Sequence, residues 1–246
     1  MPSTNEWNSL VPINKRYETT NMNARRPIKY KPTHIVIHVT GTESVSSVIS
    51  NFQSPQSVSA HYLVTKSGDL IQFVPDQNRA FHAGVDSNTR TLYRKGASTW
   101  KRYLKHFNWY KSYPKDAVFV DGDLKPVWDR TEAVFVARSD GNVWPHYAYF
   151  DQRWGNIDVP VNFATDSDPN NYSIGIETQG FGGPIDDANT FPPAMYDTLR
   201  RLVQDLSVKH GISMQKGQVV GHEDVNPIGR FGWDPGQGFN WKKVFA

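Results

Sequence analysis

The sequence predicts an α/β fold built around one sheet, and three stretches carry that expectation. "HIVIHVTG" (34–41) is a short apolar, β-branched run ending in glycine, the pattern of a buried strand. "SAHYLVTKSGDLIQFV" (59–74) reads as two strands around a Ser-Gly-Asp turn. "AMYDTLRRLVQDLSVKHG" (194–211) sets Met195, Leu199, Leu202, Val203 and Leu206 on one helical stripe, with Pro192 and Pro193 before it and Gly211 as a natural C-cap.

The remaining elements fall between these. "ESVSSVISNF" (43–52) puts Val45, Val48, Ile49 and Phe52 on one helical face. "YSIGIETQG" (172–180) has strand character, and "GQVVGH" (217–222) is a last short strand. Strands and helices therefore alternate along the chain. Residues 1–31 are polar, with prolines at 2, 12 and 27, and read as an N-terminal arm or wrap rather than a core element. Residues 86–170 differ from the rest. They carry 16 of the 32 aromatic residues, show no clear period, and from Arg90 to Lys115 contain eight Lys/Arg and no acids. They read as a long insertion, either an irregular structural elaboration or a wall that faces substrate. The domain organisation is thus an arm over 1–31 and one domain over 32–246 with its insertion at about 86–170.

Composition narrows the chemistry. A chain of 246 residues with 38% hydrophobic and 21% charged residues is ordinary globular material. No apolar run approaches the roughly 20 residues of a spanning helix, and the polar N-terminus lacks the apolar core of a signal peptide. There are no cysteines. Disulfides, thiolate zinc sites and a cysteine nucleophile are excluded, so any transition metal must be held by histidine and carboxylate. A net charge of +3 does not by itself suggest nucleic acid, and no nucleic-acid motif accompanies the basic 90–115 stretch.

HExxH, GxSxG and Walker A signatures are absent. "DSDPNNYSIGIE" (166–177) sets Asp166, Asp168, Asn170 and Glu177 at positions 1, 3, 5 and 12 of an EF-hand loop. Pro169 inside it, Asn171 at the glycine position and the lack of a preceding helix argue against calcium. "GHEDVNPIGRFGWDPG" (221–236) raises another question. It sets metal-capable side chains in a Gly- and Pro-rich loop where no long helix could run. Either the loop is turn chemistry alone, with Asp224 bonding backbone amides, or it completes a zinc site with a distant ligand. His38 and His222 at strand ends and Asp234 in the loop are a possible three-ligand set. A lone histidine at a strand end is more often a hydrogen-bonded structural residue.

"PTHIVIHVTG", "SAHYLVTKSGDLIQFVPDQNRAFHAG", "NYSIGIETQG" and "GHEDVNPIGRFGWDPG…FNW" together resemble, in order, the motifs of zinc-dependent N-acetylmuramoyl-L-alanine amidases of the AmpD-like type. Those enzymes share their fold with phage amidases and peptidoglycan recognition proteins. The resemblance spans about 33–85 and 171–246. It implies a central mixed sheet with helices on both faces. It implies Zn2+ bound by His38, His222 and Asp234, with Glu177 as the acid beside the metal. It implies hydrolysis of the amide between N-acetylmuramic acid and L-alanine of the stem peptide, on peptidoglycan or muropeptides. The other reading is a non-catalytic peptidoglycan-binding module of the same fold, against which stands the presence of all three ligands and Glu177. The family lysine two residues before the zinc aspartate is replaced by Gly232, preceded by Phe231. Arg230 is the only cation of that loop, either a catalytic positive charge or a solvated residue. "FHAG" stands where "WHAG" is usual, and His82 is either a substrate contact or a satisfied structural histidine. His61 reads as structural. A cell-wall enzyme, periplasmic or extracellular and delivered without a signal peptide, is the expectation, with cytoplasmic recycling as the other location.

Overall fold

The computed structural model describes residues 12–27, 30–87, 168–182, 189–214, 217–230, 233–236 and 238–246. It also describes the short stretches 118–120, 125–126, 135–137 and 143–145. Its centre is a six-stranded mixed sheet in the order β1-β5-β4-β10-β3-β11. The strands are β1 (Lys15–Arg16), β3 (His34–Val39), β4 (Tyr62–Val64), β5 (Leu70–Gln72), β10 (Ser173–Thr178) and β11 (Val219–Gly221). Only the β4–β5 hairpin is antiparallel, and the other neighbours pair in parallel. The hairpin turns at Gly68 with φ +87°, a conformation that favours glycine.

Strand alternation divides the sheet into two faces. Ile35, Ile37 and Val39 of β3, and Ile174 and Ile176 of β10, pack with α2 (Pro193–His210) in one cluster. The helix stripe Met195, Leu199, Leu202, Val203 and Leu206 is wholly buried there. Pro193 at the first helical position suits the helix start, since a missing N–H costs nothing there. Gly211 at φ +66° caps the other end. The second cluster sets Val48 and Phe52 of α1 (Val45–Gln53) against Leu63, Ile71 and Phe73. Helices thus cover both faces, as the sequence implied. The opposite parity, His38 on β3 and Ser173, Gly175 and Glu177 on β10, falls on the face away from α2.

The described residues of the arm are fastened to the domain at several points. β1 extends the sheet edge, and β2 (Met22–Asn23) pairs with β6 (Arg79–Ala80). Thr19 and Asn21 donate to the Phe52 carbonyl at the end of α1. Arg26 is buried. Its Nε donates to the Asp76 carbonyl at 3.0 Å and its Nη1 to the Asn170 carbonyl at 2.9 Å. Most of 86–170 lies outside the described residues. Within it β7 (Val118–Val120), β8 (Phe135–Ala137) and β9 (Val143–Pro145) form an antiparallel meander. Strands of three residues are too short to show a sequence period. No helix among the described residues is long and apolar enough to cross a membrane.

Leu202 makes a direct test of the α2 face. Leu202→Ala should destabilise by about 2–5 kcal/mol, the usual range for a fully buried leucine, read as a lowered urea midpoint with an unchanged slope.

Candidate metal and active site

The site is built where β3, β10 and β11 end side by side. Glu177 pairs with His38 across the parallel β10–β3 ladder, so both side chains rise from the same face. β11 pairs with β3 through Gly221↔Ile37, and His222 follows as the first residue of α3 (His222–Val225). The chain then runs through α4 (Pro227–Arg230) and returns. The Glu223 N–H donates to the Asp234 carbonyl at 2.9 Å. The Asp224 carboxylate accepts from the Gly221 N–H at 2.7 Å, the loop-fixing role expected of it. Gly221 is required by this closure, because a Cβ there would lie 2.6 Å from Pro235 Cδ.

His38, His222 and Asp234 are buried, and one ligand atom from each lies within 4.8 Å of the others. Asp234 Oδ2 stands 3.0 Å from His222 Nδ1 and 3.6 Å from His38 Nδ1. Its Oδ1 accepts from the Val39 N–H at 3.0 Å. His222 Nε2 is 2.8 Å from the Gly84 carbonyl. A carbonyl only accepts, so His222 Nε2 carries a proton there, and Nδ1 is the ring nitrogen turned toward Asp234. Two ring nitrogens and a carboxylate oxygen turned toward one another are a ligand set suited to a divalent cation. Burial pushes Asp234 upward, but His38 and His222 outweigh it and hold the carboxyl below the usual carboxylate range. Burial lowers His38, with Asp234 opposing.

Glu177 is half-buried, yet its Oε2 is sealed from solvent and has no hydrogen-bond partner. Burial, and then the charge of Asp234, raise its carboxyl to about 8, with Arg230 opposing. Arg230 ends α4 with its guanidinium 4.6 Å from the Trp233 ring centroid. It is therefore close enough to bias Glu177 while stacked on an aromatic face. Phe231 and Gly232 lie outside the described residues.

His82 stands on the other side of His38, with ring Nδ1 3.0 Å from His38 Nε2 and Nε2 3.2 Å from Ser173 Oγ. It is 8% exposed, and both of its nitrogens are engaged inside the protein. Burial, then the neighbouring histidines, keep it well below the usual histidine range. His222, His38, His82 and His61 follow one another with ring centroids 4.8, 5.2 and 5.6 Å apart. His61 is structural: its Nδ1 accepts from the Gly175 N–H at 3.0 Å. The EF-hand-like segment has other duties. Asp168 caps the short turn 169–171 and bonds Arg79. Asn170 Oδ1 accepts from the N–H groups of His82 and Ala83 at 2.9 and 2.7 Å. Sequence reasoning missed Ser173, Gly175 and Asn170. Counting back by two from Glu177 would have placed the first two on the site face.

A three-ligand cluster able to hold a divalent cation, beside a sequestered carboxyl at the strand ends of an α/β sheet, is the equipment of a metal-assisted hydrolase. The sequence matches the profile of a family described as N-acetylmuramoyl-L-alanine amidase over residues 28–94 and 99–237. The chain belongs to that family and is a peptidoglycan amidase. Among solved structures, a crystal structure of a selenomethionine AmpD derivative is 18% identical, with a TM-score of 0.53 over 97% of this chain and 94% of that one. The endolysin LysCS of Clostridium intestinale, an N-acetylmuramoyl-L-alanine amidase, is 12% identical with a TM-score of 0.47 over 95% of each chain. The AmpD likeness shows the fold. No curated protein matches the sequence.

Two buried histidines away from the ligand cluster set a pH dependence. Burial lowers His61 to about 3 and His34 to about 4. The unfolded chain binds protons at these groups below about 6.5 and the folded chain does not, so the stability they confer is complete above about 6.5 and declines as pH falls. At pH 5 each should have lost about 2 kcal/mol, as about 1.5 pH units at 1.36 kcal/mol per unit. Urea midpoints of metal-free protein should therefore fall between pH 7 and pH 5, and His34→Gln should flatten that fall.

Proposed function

We propose that this amidase is zinc-dependent, with His38, His222 and Asp234 as the ligands. The observation that carries this is the convergence of two histidine Nδ1 atoms and a carboxylate oxygen with the His222 Nε2 proton already committed to a carbonyl. A Cys-free chain suits zinc through His and Asp. The unpartnered Glu177 Oε2 at the edge of the cluster is a second sign of a fit, since a buried polar atom without a partner in the protein points to one outside it. When bound, zinc would supply Lewis acidity, polarising the scissile carbonyl and lowering the pKa of water.

The chain's own residues supply the rest of the reaction. The bond is the amide between the lactyl group of N-acetylmuramic acid and L-alanine of the stem peptide. Glu177 takes the proton from the attacking water and returns it to the leaving amine. A carboxyl raised to about 8 is suited to both transfers near neutral pH. Arg230 places a positive charge beside the reacting groups and stabilises the negative charge that develops on the carbonyl oxygen. The arm over 1–31 precedes a catalytic domain over 32–246 that carries the insertion at about 86–170. The substrate is peptidoglycan or its muropeptides, and the enzyme acts at the cell wall.

Purified protein should contain about one zinc per chain, and His222→Ala should lose most of it by elemental analysis. Stoichiometric zinc in that variant would show that the ligands are others. Glu177→Gln should keep zinc and fold while muropeptide turnover, followed by mass spectrometry of the released peptide, drops on the order of 10²-fold or more. Turnover near wild type would remove Glu177 from the reaction. Chelation should abolish turnover by the wild-type enzyme, and added zinc should restore it.

A further inference from the structure

One short segment supplies the outer hydrogen-bond acceptors of both ligand histidines. The Gly84 carbonyl receives His222 Nε2 at 2.8 Å, and His82 Nδ1, two residues earlier, meets His38 Nε2 at 3.0 Å. The direction of the second bond follows from where its chain ends. Ser173 Oγ donates to the Pro169 carbonyl at 2.7 Å, and that carbonyl can only accept. Ser173 then accepts from His82 Nε2 at 3.2 Å, so His82 carries its proton on Nε2. A neutral ring protonated there has its lone pair on Nδ1, which accepts the proton of His38 Nε2. His38 is left with its lone pair on Nδ1, facing Asp234. His38 and His222 thus present the same ring nitrogen inward.

The segment is itself built in. Asn170 Oδ1 takes the N–H groups of His82 and Ala83. The imidazole of His82 lies over Gly175, where a Cβ would come within 2.4 Å of its Cγ. Only glycine on β10 leaves room for the ring. A solvent-facing substrate contact requires none of these features.

We propose that His82 and Ser173 are positioning residues that fix His38 in the ligating tautomer, and that His82 serves the metal ligand rather than the substrate. This rests on the zinc site proposed above. Outer partners of this kind are commonly worth about 10–100-fold in metal affinity. The zinc dissociation constant, measured by competition with a chromophoric chelator, should rise by about that factor in His82→Phe and in Ser173→Ala. His82→Gln should stay within a few-fold of wild type, because its amide can accept from His38 and donate to Ser173. A packing role would move the metal-free urea midpoint without separating Phe from Gln in zinc affinity. Unchanged zinc affinity in Ser173→Ala, which removes one hydroxyl and leaves the fold its best chance, overturns the proposal even if His82→Phe fails to fold. Equal losses in His82→Phe and His82→Gln overturn it as well. A wild-type protein that binds no zinc overturns the metal site itself, a different failure from tight wild-type binding with indifferent variants.

Discussion

The parallel pairing of β3 with β10 is the constraint on which the site depends. Six consecutive residue pairs, from Ser173↔His34 to Thr178↔Val39, set the register. Alternate residues of both strands are committed to α2, so the others have one place to go. A slip of one residue would turn Ile35 and Ile37 toward the site and bury His38 against Met195 and Leu199, exchanging apolar burial for unsatisfied polar groups. The same register that fills the core therefore sets Glu177 beside His38 and brings Gly175 under the His82 ring. Core packing and site geometry are two faces of one ladder.

The elements that were legible in the sequence are those whose pattern repeats within a short window. The α2 stripe, the α1 face and the hairpin at Ser67-Gly68-Asp69 each declare themselves locally. The candidate site residues were legible for another reason: His38, Glu177, His222 and Asp234 lie inside motifs that resemble a family, while their spacing alone fixed nothing. What remained hidden depends on contacts across the chain. Ser173 and Asn170 lie in a stretch whose spacing imitates a calcium loop, and their work is done on residues 82 and 83, some 88 positions away. His82 carried two readings because a histidine in "FHAG" has no local feature that says which way its ring turns. The contacts that orient the ring come from Gly175 and from Ser173, both far along the chain.

The N-terminal arm illustrates a related limit. A polar stretch with prolines reads as a wrap, and its described residues bond the sheet edge at β5 and the end of α1. Its polarity also conceals Arg26, whose guanidinium fork joins the Asp76 carbonyl to the Asn170 carbonyl. Asn170 in turn fixes the backbone at His82 and Ala83. Arg26 therefore reaches the neighbourhood of the metal-capable cluster through two hydrogen-bonded steps. Desolvation lowers Arg26 to about 10 despite the nearby Asp76 charge, which measures how deeply the fork is inserted.

Asp234 bonds the backbone of Val39 across 195 positions of chain. A cation shared by His38, His222 and Asp234 would act there as a reversible cross-link, joining two ends of a very long loop. Closing a long loop in the unfolded chain is entropically costly, so such a link favours the folded state more than its few bonds suggest. Free metal concentration would then set thermal stability as well as catalytic competence, by mass action. Starved of metal, such a chain would lose the reaction and slacken at this long-range tie together.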